Sequence, residues 1–358
     1  MSTAAIAPSR SPCPGALFVE PPWLTLVPLL ERSPSLADLR AHRLELLYAA
    51  LLRERGLPLP AELAESVRIA RFATLSAHAV LGRIRRSCVG PLVLLKGPEA
   101  AEYYPAPGLR PFGDVDLLVA DAYETQSTLL AAGFTPIGDA LDWEALHHLH
   151  RLVSPDGLFA VEIHKRPKWV DGLDPPSVDD VLASSVPSAT GVDGIRAPSP
   201  GMHAVLLAAH AWAERPLGCI GDLLDVHLLA ERDRDEAERL ASELDLERVW
   251  RTTTAASDAL LRARRPAWPL RTWARHLEPV RGQTVIESHL ERMLAPFAAL
   301  PPAAATRDAG AALGRTLRPR PEERWRAKLD RAGRALRNAF LRRSEHERRL
   351  RDTGEPDE

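Results

Sequence analysis

Asp114 and Asp116 are separated by one residue at the head of an apolar run, Leu117-Leu118-Val119. In a strand, side chains alternate between faces, so carboxylates at these two positions point the same way. Carboxylates that close repel unless a cation sits between them, and hard oxygen ligands suit Mg²⁺. A second apolar segment, Val161-Glu162-Ile163-His164, offers a third carboxylate, and a third segment, Leu92-Val93-Leu94-Leu95, ends in Lys96-Gly97. Arg110 precedes the aspartates. Lys96 and Arg110 are cations able to neutralise phosphate charge, Arg110 in bidentate fashion. Such a constellation suits a metal-assisted transfer of a phosphate-containing group. Each residue also has a plainer reading: a solvated strand entrance beside Gly113, an outward Glu162 on a half-buried strand, and two solvated loop cations. The apolar residues directly after Asp116 favour the ligand reading, because an unpaired charge entering a buried strand is costly.

The elements that must position these groups are short strands. Leu92–Leu95 reads as a buried strand, and Gly97 at its end allows another group to approach the backbone closely. Asp114–Val119 is a second strand. His148–Val153 and Leu158–His164 flank Ser154-Pro155-Asp156-Gly157, which has the residue order of a type I turn. A three-residue loop with a bulge at Gly157 pairs Ser154 with Leu158. It sets position 150 opposite 162 and 148 opposite 164, so His148, His150, Glu162 and His164 share a face. The spacing of His147, His148, His150 and His164 matches no zinc motif.

The 358 residues carry a net charge of −2, with 45% hydrophobic and 26% charged residues, a composition ordinary for a soluble globular chain with a sizeable core. That balance gives no global reason to bind nucleic acid or membrane. Three cysteines, odd in number and widely spaced, argue against a disulfide framework and fit a reducing, cytoplasmic setting. No signal architecture opens the sequence, and no run of about 18 apolar residues appears.

The pattern divides the chain into a disordered start (1–20), an N-terminal helical layer (21–90), a strand-bearing core (91–170), a connector (171–200), a helical domain (201–300), and a linker with a basic C-terminal helix (301–358). Ser35 caps a helix running from Leu36 to about Gly56, and a second helix spans Ala61 to Ser87. A helical turn is expected over Pro98–Tyr104, and helices over Tyr123–Ala132, Met202–Glu214, Asp222–Glu231, Asp235–Arg264 and Val285–Leu300. Pro301–Ala312 reads as an Ala/Pro linker. Between Arg315 and Arg351, arginines and Lys328 far outnumber the acids, and Trp325, Leu329, Ala332, Leu336 and Phe340 fall at helical spacing. This basic amphipathic helix suits an anionic partner (lipid, nucleic acid or acidic protein), or else docks its apolar stripe on its own domain.

Lys96-Gly97, Arg110 to Val119, and Val161 to His164, in this order on predicted strands, resemble the uncharacterised nucleotidyltransferase family of the polymerase-β-like superfamily. The resemblance covers roughly residues 20–235 and is strongest over 92–164. It implies an α/β (α+β) fold with a small mixed-sheet core, an N-terminal helical layer and a C-terminal helical domain. It also implies Mg²⁺, one ion or a pair, held by Asp114, Asp116 and Glu162. The implied donor is an NTP and the acceptor a hydroxyl. Glu162 would activate that hydroxyl or complete the metal shell, Lys96, Gly97, Arg110 and His164 would meet the nucleotide, and Asp225 matches an acidic position of the family's helical part. Asp225 otherwise reads as an ordinary helix-face charge. One departure stands out: the superfamily holds the triphosphate with Gly-Ser or Gly-Gly, whereas Pro98 follows Gly97 here and offers neither a hydroxyl nor an N–H. A non-catalytic adaptor on the same fold is therefore the competing expectation. A sugar-nucleotide glycosyltransferase using Asp-x-Asp leaves the other two pieces unexplained.

Overall fold

The computed structural model describes residues 17–138, 146–319 and 324–343. Among them, fourteen α-helices surround a seven-stranded mixed sheet, the α/β arrangement expected. Most of the start expected to be disordered lies outside the described residues, but Leu17–Val19 forms a 3₁₀ turn with Phe18 buried. Helix α1 (Trp23–Arg32) follows, then α2 (Leu36–Ala41), α3 (Glu45–Glu54) and α4 (Ala61–Ser87). Periodicity predicts one helix across α2 and α3. The chain breaks instead at His42–Leu44, with Arg43 at φ +56°. Arg43 is the one charge on that apolar stripe, and the break turns its guanidinium to Asp222, with which it pairs.

The sheet comprises β1 (Leu92–Leu94), β2 (Asp114–Leu118), β3 (Thr135–Pro136), β4 (Leu152–Val153), β5 (Ala160–His164), β6 (Val186–Pro187) and β7 (Ile195–Ala197), in the order β3-β4-β5-β2-β1-β7-β6. Helices α5 (Pro98–Ala101) and α6 (Ala122–Ala131) flank β2, and α7 (Val178–Ala183) precedes β6. The expected connector at 171–200 therefore supplies a helix and two strands, with Ile195 of β7 beside Leu92 of β1 in parallel. Strands this short carry no readable alternation.

The hairpin keeps its type I turn, with the Gly157 N–H donating to the Ser154 carbonyl at 2.7 Å. Its loop is longer than expected, since Ser154 faces Phe159 rather than Leu158. Leu152 thus lies opposite Val161, whereas His148 lies opposite His164, so an extra residue bulges out between them. The bulge restores the expected facing of His148 but turns His150 away, its ring bonding the Ile137 carbonyl at 2.9 Å.

Alternation along the strands sends side chains into two cores. On one face Leu92, Leu94, Val115, Leu117, Val161 and Ile163 pack under α4 and α6. On the other, Val93, Leu95 and Leu118 join a core that contains α1–α3 and the later helices: α8 (Pro200–Glu214), α9 (Ile220–Ala230), α10 (Arg234–Glu243), α11 (Glu247–Leu261), α12 (Val285–Ala299) and α13 (Pro302–Leu317). Of the N-terminal helices, α4 packs beside the strands as expected, while α1–α3 pack with the later helices. The single helix expected over Asp235–Arg264 is broken between α10 and α11, with Asp245 at φ +54°. The expected Ala/Pro linker is helical, because Pro302 sits at the first helical position, where a missing N–H costs nothing. Helix α14 (Trp325–Arg337) follows. The rest of the basic segment, 320–323 and 344–351, lies outside the described residues.

Candidate active site

Parallel pairing of β2 and β5 sets Asp116 beside Glu162 and Leu118 beside His164. Paired residues share a face, so Asp114, Asp116, Glu162 and His164 all project toward the helical side of the sheet, where α8 lies across them. His203 of α8 is fastened to this face through its Nε2 and the Leu95 carbonyl, 2.6 Å apart. Oxygens of Asp116 and Glu162 and a nitrogen of His164 lie within 4.8 Å of one another, a group able to hold a metal ion. Asp114, two residues earlier on the same face, lies outside that tight set. His164, expected among the nucleotide-binding residues, instead touches the carboxylates: its Nε2 is 3.2 Å from Asp116 Oδ1 and 3.7 Å from Glu162 Oε2.

The three carboxyls titrate apart. Burial pushes the Asp116 carboxyl up, but the His164 hydrogen bond and the Lys96 ammonium outweigh it and hold it well below the usual range. Asp114 goes the other way, raised by burial and by the charge of Asp116. Glu162 is also raised by burial and Asp116, although Arg151 forms an ion pair with its Oε1 at 2.8 Å. Asp116 Oδ2 is buried with no hydrogen-bond partner. A buried carboxylate oxygen with no partner, beside a second carboxylate, is a setting that a divalent cation satisfies. Two carboxylates suit Mg²⁺, and the imidazole adds a ligand that softer ions favour.

Beside Asp116 and His164 lies a cavity of about 20 Å³, lined also by Lys96, Lys168 and His210. That volume holds an ion or a water, not a nucleotide. Burial and the Arg43 charge push the Lys96 ammonium down, while Asp116 and Asp114 oppose them. Lys168, paired with Glu214 of α8, and His210 of α8 were not singled out from sequence. His210, pushed well below its ordinary value by burial and by Lys96, sits in the all-apolar context of α8, and only tertiary packing brings it to the site. His147 meets His148 edge-on and His164 at a tilt, with ring centroids 4.7 and 5.2 Å away, and burial holds it down to about 3.

Arg110 differs from both sequence readings. It is neither solvated nor turned to the cavity: its guanidinium is buried, with Nε and Nη2 each donating to Asp225 of α9 at 2.8 Å. Asp225 also accepts the Tyr104 hydroxyl at 2.9 Å, so it is a buried partner rather than a helix-face charge. Against the upward push of burial, the Arg110 guanidinium holds its carboxyl below the ordinary value. Arg110 Nη1 reaches the Gly97 carbonyl at 3.2 Å, tying the end of β1 to α9. Gly97 itself, at φ +61°, permits a close approach as expected, but the approaching group is the Asp114 carbonyl. A Cβ at Gly97 would lie 2.5 Å from it. Pro98 opens the short α5 and is buried, and Glu99 beside it accepts from Ser188 and Ala189. The loop after β1 is thus held by the protein's own groups.

The family described as uncharacterised nucleotidyltransferase has a model that matches residues 34–262. The match runs from the cap of α2 to the end of α11, starting later and ending further on than the resemblance in the sequence, and takes in the whole sheet. No match is found among curated proteins or among solved structures.

Proposed function

The chain belongs to the uncharacterised nucleotidyltransferase family, and from that premise we propose that it moves a nucleoside monophosphate from an NTP to an acceptor hydroxyl with the help of Mg²⁺. The observation that carries this reading is the pairing of Asp116 with Glu162 across parallel strands, with Asp116 Oδ2 buried and unsatisfied. Asp116, Glu162 and Asp114 would hold the cation, which supplies neutralisation of the donor phosphates and of the oxygen displaced in line.

The chain's own residues do the rest. Arg151 fixes Glu162 by Oε1 and leaves Oε2 toward His164 and His148. Glu162, its carboxyl raised by burial and by the charge of Asp116, would orient or deprotonate the acceptor hydroxyl. His164 orients Asp116 through the Nε2 contact. Lys96 and Lys168 line the cavity and would meet phosphate charge in place of the N–H that Pro98 lacks. Since the cavity admits only an ion or a water, the donor phosphates must reach Asp116 from its rim.

The buried pairing of Arg110 and the proline at 98 favour one competing reading, a non-catalytic adaptor on the same fold. The two separate by measurement. Mg²⁺ with NTP should raise the melting temperature of the wild type, since a ligand of the native state stabilises it. Pyrophosphate release from NTP should accompany it. Asp116→Asn should lose both responses. A wild type that responds to neither, or a mutant that responds as well, leaves the adaptor.

A further inference from the structure

Helix α14, outside the family match, lies on the protein in the reverse of the usual orientation. Trp325, Leu329, Ala332 and Leu336 recur at steps of three and four, which places them on one face of the helix. In a helix that docks by its apolar stripe, these residues are covered. Here Trp325 is 63%, Leu329 66% and Leu336 77% exposed, and Phe340 just beyond is 83% exposed. The side turned to the protein is basic instead. Lys328 is buried and bonds the Thr316 carbonyl of α13, and Arg331 lines a pocket with Arg292 of α12 and Arg315 of α13.

The chain after the helix is fastened in this orientation. Val285 N–H donates to the Leu341 carbonyl at 3.1 Å, and Arg343 N–H to the Gln283 carbonyl at 2.8 Å. Arg342 pairs with the buried Asp38 at 2.9 Å. Rolling the stripe inward would break these bonds. Arg324, Arg326 and Arg337 are exposed around the stripe, and Asp330 is the one acid within the helix.

The occupant of such a face must accept apolar side chains and positive charge together. A second copy of the chain would bring like charge against like charge. A nucleic acid would satisfy the arginines and leave Trp325, Leu329 and Leu336 in water. A bilayer surface carrying anionic headgroups meets both demands, and an indole is at home at the boundary between headgroup and acyl chain. We propose that α14 seats the protein on an anionic membrane surface, with its apolar stripe among the outer acyl carbons and Arg326 and Arg337 at the phosphates. At 13 residues the helix is about 20 Å long, too short to cross a hydrocarbon core of about 30 Å, so it lies in the plane of the surface.

The test is flotation of the full chain with phosphatidylcholine vesicles, with and without phosphatidylserine. Binding should be about tenfold or more stronger with phosphatidylserine and should weaken as salt rises. Leu329→Gln with Leu336→Gln changes only exposed side chains, so the fold, checked by melting temperature, should hold while vesicle binding falls about tenfold. Arg326→Gln with Arg337→Gln should lower binding several-fold and flatten its salt dependence. The proposal is overturned if phosphatidylserine vesicles bind no protein or if the leucine double variant binds as well as wild type. It is equally overturned if the chain dimerises without vesicles and that variant abolishes the dimer.

Discussion

Asp225→Asn is the perturbation that most directly tests how the site is held in place. The substitution keeps the side-chain shape and removes the charge that both arms of the Arg110 guanidinium meet at 2.8 Å. An asparagine can still accept one of these bonds, but its amide N–H₂ then faces a donor across the other. Both side chains are 3% exposed, so solvent cannot replace the lost partner. Leaving a buried charge without its counterpart costs about 3–5 kcal/mol. At about 2 °C per kcal/mol for a chain of this size, the melting temperature should fall by about 6–10 °C. Urea denaturation should show the same loss as a lower midpoint with an unchanged slope. The Asp225 carboxyl lies below its unfolded value when folded. Its contribution is therefore fully present above about pH 4 and lost as pH falls through the folded value, so the mutant should lack that part of the acid transition. Replacing both partners, Arg110→Met with Asp225→Leu, removes the orphaned charge and should recover most of the stability. The Gly97 carbonyl would still be untethered, so binding of Mg²⁺–NTP should remain weakened. A shift of less than about 2 °C for Asp225→Asn, or a double variant no better than the single, would refute the reasoning.

Without metal, Asp114→Asn and Asp116→Asn should diverge. Asp114 is raised by burial and by its neighbour, so losing its charge should stabilise; Asp116 is bonded to His164, so losing its charge should destabilise. Equal shifts in melting temperature would contradict that division. Gly97→Ala places a methyl 2.5 Å from the Asp114 carbonyl at positive φ, and should cost about 1–3 kcal/mol in denaturant. An unaltered midpoint would show that the loop yields easily.

The carboxylate face was legible in the sequence because strand alternation is local: Asp114, Asp116 and Glu162 each sit among apolar neighbours that fix their direction. Ala61–Ser87 and the Ser154–Gly157 turn were legible for the same reason, the first from a long amphipathic period, the second from residue chemistry. What escaped was set by partners distant in sequence. Nothing near Asp225 marks it as buried, since Arg110 and Tyr104 lie more than a hundred residues away. Arg43 looked like a blemish on a stripe, when it sits at the break and pairs with Asp222 of α9, far along the chain. Strands β6 and β7 escaped because each holds two or three residues, and β7 finds its place only against β1, with β6 added beyond it.

The mixed core has a consequence for how the protein comes off the ribosome. Leu26, Leu30, Leu44 and Leu47, made first, share one core with Leu223, Val249, Trp273 and Ala305, made much later, while the sheet is made in between. Val93, Leu95 and Leu118 can cover part of the early helices first, but their core closes only once the later helices are made, so some of that apolar surface stays open meanwhile. Closing contacts over that separation is also slow. The clamp of Arg110 on Asp225 forms only once α9 has emerged, so this tether of the loop after β1 comes from a helix more than a hundred residues downstream. A nascent chain halted before α9 would carry the carboxylate strand complete and the anchorage of its neighbouring loop missing.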